Sequence, residues 1–330
     1  MSNHRVEVVR LGPIEKHPNA DTLGIVAIWG YTAIVRLGDY AEGDLVAYVE
    51  PDYVVPETGA FAFLKDRRIR AKRLRGIWSQ GLIIRAPEGA SEGDDVMEHF
   101  GIVRYEPKVR VNRWGMPKRE NEAAESPHES LATIPKYDLE NFRRYHEAFA
   151  PGEPVVITEK LHGTNARFAW RDGRMWCGAR SHWRKPTEDA RTDWWWGALA
   201  QNPWIETWCR MNEDAVLFGE IFGSVQDLTY GAKKGEWRFR AFDVFRDGRF
   251  VDACDTGLCA DGDFSLFWVP RIHVGPLPDR ESLEEMSRRD SVFGGISEGI
   301  VIKPFVERFD RSVGRVALKL VSDRYLERAK

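Results

Sequence analysis

The stretch Pro154-Val155-Val156-Ile157-Thr158-Glu159-Lys160-Leu161-His162-Gly163-Thr164-Asn165 decides how the chain is read. Its apolar start predicts a buried strand, and its polar end a loop punctuated by Gly163. Lys160 therefore stands where the strand runs out, at the edge of a core and not on an open face. Further strands follow: Arg167-Phe168-Ala169-Trp170 and Met175-Trp176-Cys177 around an Asp172-Gly173 turn, then 216–221, 239–245, 299–303 and 316–321. Helices are expected near 194–211 and 282–289, and helical periodicity at 137–145 with Asp138 as its cap. The second half of the chain is thus α+β with a mostly antiparallel sheet.

Outward from this stretch, the first hundred residues have a different texture. Short apolar runs at 6–9, 24–28, 33–37, 45–49 and 81–84 are cut by turn residues, the pattern of a small β-barrel of about five strands. Inside it lies a cationic run, Lys65, Arg67, Arg68, Arg70, Lys72, Arg73 and Arg75, in which Asp66 is the one acidic residue. A solvated loop or helix face is one reading; a phosphate-contacting surface is the other. Residues 108–132 carry few large apolar side chains and are expected to be a linker between 1–107 and 133–330.

Composition bounds the function. The chain has 330 residues with 48 Lys+Arg against 51 Asp+Glu, a net charge of -3, so bulk positive charge does not drive it onto nucleic acid. Hydrophobic residues make up 43%, enough for packed cores. No apolar run approaches the ~18 residues of a membrane span, and the start reads as neither signal peptide nor presequence, so the cytoplasm is expected. Cys177, Cys209, Cys254 and Cys259 are scattered, without zinc or redox spacing. Trp194-Trp195-Trp196 reads as packed core.

Lysines and glutamates on strands are expensive to bury unless paired or bound to ligand. Here Lys160, Lys303 and Lys319 accompany Phe218-Gly219-Glu220 and Glu298-Gly299. In that order they resemble the motifs of the lysine-dependent nucleotidyltransferases, the nucleic-acid ligases and messenger-RNA capping enzymes. Lys160-Leu161-His162-Gly163 looks like the first motif, Phe218-Gly219-Glu220 the third, and Phe239-Arg240-Ala241-Phe242-Asp243 the aromatic segment after it. Glu298-Gly299-Ile300-Val301-Ile302-Lys303 is similar to the fourth, and the strand through Lys319 to the fifth. The His and the trailing Thr164-Asn165 resemble the nick-sealing RNA ligase branch, in its subgroup with an N-terminal OB barrel. His17-Pro18-Asn19-Ala20-Asp21 is likewise similar to transfer-RNA-binding OB domains. Eleven residues follow Lys319, too few for the C-terminal OB domain of DNA ligases and capping enzymes.

The resemblance implies an ATP-dependent RNA ligase that seals 3′-hydroxyl/5′-phosphate breaks, nicks in duplexes above all, through a lysyl-AMP. Lys160 would be the nucleophile; its amine, with an ordinary pKa of ~10.4, must be neutral to attack. Glu220, Glu298 and Asn165 would hold Mg²⁺ or Mn²⁺ directly or through water, with Glu220 alternatively on the ribose. Lys303, Lys319 and Arg180 would meet the α-phosphate, the backbone at Glu159 the adenine edge, and Phe239 its face, with Phe242 as the alternative stacker. His162 reads as an orienting group. Val321 stands where many relatives have a second lysine, so Arg315 or Arg324 is a substitute, and Lys233, Lys234 and Arg238 are candidates for pyrophosphate. The expected partner is nicked or broken RNA, duplex or RNA–DNA hybrid, gripped by Arg67, Arg68, Arg70, Lys72, Arg73 and Arg75. A monomer is favoured, with end healing left to separate enzymes. The rivals are a GTP-using capping-type enzyme and an inactive nucleic-acid-binding protein.

Overall fold

The computed structural model describes residues 5–57, 59–105, 124–259 and 267–328, which fall into two compact units. The first gathers 5–105 with Glu140–His146 and the segment from Val321 onward; the second holds 124–139 and Glu147–Leu320. Neither unit follows a single cut in the chain.

In the first unit, Glu7–Arg10, Leu45–Val49 and Leu82–Arg85 form one antiparallel sheet, and Glu15–Lys16, Leu23–Ile28 and Tyr31–Arg36 another. Alternate residues of Leu23–Ile28 and Tyr31–Arg36 point inward, the period-two pattern of a half-buried strand. Leu45–Val49 is buried on both faces: Ala47 and Val49 join one cluster with Val6, Val8 and Ile84, while Val46 and Tyr48 join another with Val26, Ile28 and Tyr31. The cationic run is not a helix: 65–70 is irregular apart from a single bridge at Arg68, and the rest lies on a hairpin. Ala71–Leu74 pairs with Ile77–Gln80 in a hairpin, Lys72 opposite Ser79 and Arg73 opposite Trp78.

The second unit is built on two sheets. The larger runs in the order Ala124–Glu125, Trp183–Arg184, Arg174–Gly178, Thr164–Arg171, Ala215–Gly223, Trp237–Arg246, Arg249–Phe250. The smaller sets Leu318–Val321, Gly299–Pro304, Pro154–Lys160 and Arg271–Pro276 side by side. Asp172 and Gly173 form the two-residue turn between Arg171 and Arg174, both with positive φ (51° and 72°), which is why Asp-Gly stands there.

Three local expectations change. The part of the expected linker that is described, 124–132, belongs to the second unit: it supplies an edge strand and a helical turn, Glu129–Ala132, whose Leu131 packs with Trp176 and Trp183. The first part of that linker, 108–123, lies outside the described residues. The helix at 137–145 shrinks to Phe142–Tyr145, capped by Asn141, because Glu140–Asn141 is a short strand; Asp138 is in an ion pair with Arg180. Asn202 and Pro203 divide the expected 194–211 helix into Trp194–Gln201 and Trp204–Met211.

One buried ion pair ties distant pieces of the first unit together. Arg143 lies 3.3 Å from Asp323 and donates to the Val321 carbonyl at 3.0 Å, and Gln80 donates to the same carboxylate at 2.6 Å. Removing one partner of such a pair leaves an uncompensated buried charge and costs about 3–5 kcal/mol. Asp323→Ala is therefore expected to lower the unfolding free energy of the chain by that amount in urea titrations. A loss of less than about 0.5 kcal/mol, the ordinary result for a surface change, would mean that the pair does not hold the unit together.

Candidate active site

Strand register brings the motif residues to one place. In the antiparallel pairing of Pro154–Lys160 with Gly299–Pro304, Lys160 stands opposite Gly299, so Glu298 arrives beside the lysine as its strand begins. The Lys160 ammonium lies 2.6 Å from Glu298 Oε1. Burial alone would raise the Glu298 carboxyl, but Lys160 and His162 overcome it and hold it down at about 2. Glu220 is driven the other way, up to about 8, by burial that the charge of Lys160 only partly offsets. Two carboxyls on either side of one amine are thus pushed apart in acidity, a pattern found at functional sites.

The loop after Lys160 is held from several directions. Gly163 passes so close to the next sheet that a Cβ there would run into the carbonyl oxygen of Ile221; the spacing lysine, two residues, glycine is a packing requirement. Gln226 donates to the Gly163 carbonyl, and the His162 amide donates to the Tyr230 hydroxyl at 2.8 Å. His162 Nε2 meets Asp227 at 2.9 Å and Nδ1 lies 3.7 Å from Glu298. Burial would lower the His162 pKa, yet these two carboxylates raise it to about 9, so at neutral pH it is a cation that orients Glu298 and cannot accept a proton. Gln226, Asp227 and Tyr230 carried no motif signal in the sequence.

The larger sheet turns one face to this site. Asn165 pairs with Glu220, which pairs with Arg240, so the three share a face. The Asn165 Oδ1 is buried without a hydrogen-bond partner. Its carbonyl accepts from Trp195 Nε1 at 3.0 Å, so one tryptophan of the triplet steadies the site's backbone. Phe239 pairs with Ile221 and lies on the opposite face, fully buried against Phe168 and Trp204. Gly219 is required beneath it, since a Cβ would strike its ring. A register shift then makes Phe242 the extra residue of a bulge between Ala241 and Asp243, and Phe242 joins Phe218 and Val216 on the face of Glu220. The aromatic on the site's face is therefore Phe242, and Phe239 belongs to the core.

The remaining basic residues divide. Lys303 is 3% exposed, 2.8 Å from Asp243, and donates to the Phe242 carbonyl at 2.5 Å. Arg315 at 2.9 Å and the Tyr137 hydroxyl at 2.6 Å complete the shell of Asp243. Burial pulls the Asp243 carboxyl up, and Arg315 and Lys303 overcome it and hold it below the usual range. Lys303 thus braces the Phe242 bulge, and Arg315 is also bound to Glu307. Lys319 is half-buried on the strand neighbouring that of Lys303. Val321 packs with Ala71 and Leu326. Arg180 is exposed and paired with Asp138. Arg238 is paired with Glu236, while Lys233 and Lys234 are exposed. The Glu159 amide donates to the Pro270 carbonyl at 2.8 Å, and its side chain turns toward the Val292 amide.

In the first unit the cationic run is only partly available. Arg68 is bound to Asp52 at 2.7 Å and stacks 3.5 Å over Tyr105, and Arg67 donates to the Val55 carbonyl. Arg70 is half-buried; Lys72, Arg73 and Arg75 stay exposed on the hairpin. His17 contacts the Leu74 carbonyl at 3.2 Å and Asn19 donates to that of Arg75 at 3.1 Å, clamping the turn.

Among the described residues no three His, Cys, Asp or Glu side chains cluster as a metal cage. The Glu298 carboxylate, the Glu220 carboxyl and the orphaned oxygen of Asn165, the strand partner of Glu220, are hard oxygen donors that fit instead a cation keeping several waters and sharing a nucleotide's phosphates. Because Gly163 fixes the path of the loop that carries Lys160, Gly163→Ala is expected to slow any nucleotidyl transfer to Lys160 by about 100-fold, the scale of an ångström of misplacement. A rate within twofold of wild type, measured by radiolabel transfer, would show that the close approach to Ile221 is dispensable.

An RNA ligase family model matches residues 153–321, and an OB-fold domain model matches residues 5–86. No curated protein matches the sequence. A lysine-to-alanine variant of the Naegleria gruberi RNA ligase, solved with ATP and Mn, superposes with a TM-score of 0.80 at 24% identity over 99% of both chains. The same ligase solved with pyrophosphate gives 0.79 at 25% identity over 99% of this chain and 98% of that one. The barrel of the first unit is thus an OB fold, the two sheets of the second have the RNA ligase nucleotidyltransferase fold, and the chain belongs to the RNA ligase family.

Proposed function

We propose that this protein joins a 3′-hydroxyl to a 5′-phosphate in RNA, at nicks in duplexes by preference, using ATP and a covalent Lys160 adenylate. The observation that carries the reading is the Lys160–Glu298 contact at 2.6 Å beside half-buried Glu220, in a chain of the RNA ligase family. In the first step the Lys160 amine attacks the α-phosphorus of ATP; a P–N bond forms, the bond to the β-phosphate oxygen breaks, and pyrophosphate leaves. The proton of the amine goes to solvent, and Glu298, 2.6 Å from the Lys160 nitrogen, orients it. In the second, a 5′-phosphate oxygen of the RNA attacks the same phosphorus and the P–N bond breaks, restoring the amine. In the third, the 3′-hydroxyl attacks the 5′-phosphate and AMP leaves.

The other residues orient and neutralise, which is most of what phosphoryl transfer asks of a protein. Phe242 stacks on the adenine from the bulge that Lys303 braces, and the carbonyl of Glu159 reads its edge. Lys319 and Arg180 supply charge to the phosphate. Glu220, Glu298 and Asn165 are the residues that would hold Mg²⁺ or Mn²⁺, an ion that, when bound, neutralises developing phosphate charge. Lys72, Arg73 and Arg75 on the clamped hairpin meet the RNA backbone. ATP, AMP and Mn accompany the structures of the Naegleria ligase, which supports the choice of nucleotide and metal.

The test is sealing of two RNA strands, one with a 3′-hydroxyl and one with a 5′-phosphate, held as a nick by a complementary strand or supplied without it, with each ribonucleoside triphosphate. ATP-dependent joining of the nick, at least about tenfold faster than of the free strands, is expected. Equal joining without the complementary strand would overturn the nick preference, and use of GTP in place of ATP would overturn the nucleotide assignment.

A further inference from the structure

On the sheet face that carries Asn165 and Glu220 there is a cation that none of the steps above uses. Arg167 stands two residues beyond Asn165 on the same strand, opposite Phe218, and therefore on that face. It is 4% exposed, and its Nε is buried with no hydrogen-bond partner. Among the described residues it makes no ion pair; its guanidinium lies 4.5 Å over the ring of Trp183. Buried guanidinium groups are normally paired, since desolvating the charge is costly without a counter-charge. The neighbourhood admits this one deliberately: opposite it is Gly178, where a Cβ would stand only 2.9 Å from Arg167 Cγ and Nε. The adjacent Asn165 Oδ1 is also unpartnered.

We propose that Arg167 is a phosphate-binding residue of the ligase site, its missing counter-charge being a phosphoryl group of the nucleotide or of the RNA 5′ end. Both sources offer the same chemistry, oxygens that match the planar fork of a guanidinium. Trp183 holds the plane of that fork while the site is empty. The inference rests on the sealing function proposed above.

The experiment uses full-length protein with Arg167→Met, Arg167→Gln and Arg167→Lys. Removing an unpaired buried charge is expected to leave the melting temperature of the unliganded protein unchanged or higher for Met and Gln. The same variants are expected to lose about 10- to 100-fold, the equivalent of one charge-assisted hydrogen bond, in one step. If the loss is in Lys160 adenylation, with a smaller thermal shift on adding pyrophosphate, the phosphate is the nucleotide's. If adenylation is normal and the loss is in sealing by the pre-adenylated enzyme, it is the RNA's. Lys is expected to recover part of either. Both steps within twofold of wild type, or failure of both neutral variants to fold, would overturn the proposal and leave Arg167 a packing group on Trp183. A wild-type protein that neither adenylates nor seals would instead overturn the ligase reading itself.

Discussion

The 2.6 Å ion pair between Lys160 and Glu298 is the constraint on which the site depends. It exists because Lys160 is opposite Gly299 in the smaller sheet, which sets Glu298, the residue just before that strand, beside the lysine. Val155, Val156 and Ile157, all fully buried, fix that register by packing, so the core of the second unit sets the geometry of its chemistry. His162, charged at neutral pH, holds Glu298 from the other side.

The two sheets are joined to this centre at points of close approach. Gly163 leans on the carbonyl of Ile221, one residue from Glu220, so the loop that carries His162 and the strand that carries Glu220 cannot move independently. Trp195 ties the backbone of Asn165 to the helix Trp194–Gln201. Around Asp243, buried Lys303, Arg315 and Tyr137 form a satisfied network whose visible product is the position of the Phe242 bulge. The Asp243 group is complete within the chain, whereas Arg167 Nε and the neutral Asn165 Oδ1 are buried without partners.

Much of this was legible in the sequence, and what was not has physical causes. The strands announce themselves because alternation and turn residues are local properties, and Lys160, Glu220 and Glu298 stand out because charge on a strand is costly. Phe239 and Phe242 could not be told apart, since a β-bulge resets the parity of a strand and nothing in Phe239-Arg240-Ala241-Phe242-Asp243 marks where the extra residue falls. Lys303 and Lys319 look alike as letters; only the partner Asp243, sixty residues earlier, separates a bracing lysine from one on a neighbouring strand. The cationic run looked uniform for the same reason, until Asp52 and Tyr105 claim Arg68 and leave Lys72, Arg73 and Arg75 on the surface. Arg167 was invisible because its significance lies in a partner it lacks.

The central claim is that one lysine among several in the site forms the covalent bond. Fragmenting the protein after incubation with ATP and Mg²⁺ or Mn²⁺, and locating the added AMP by tandem mass spectrometry, tests it directly. The account predicts AMP on Lys160 alone, through an acid-labile P–N bond. AMP on Lys303 or Lys319, or on none of the three, would contradict it.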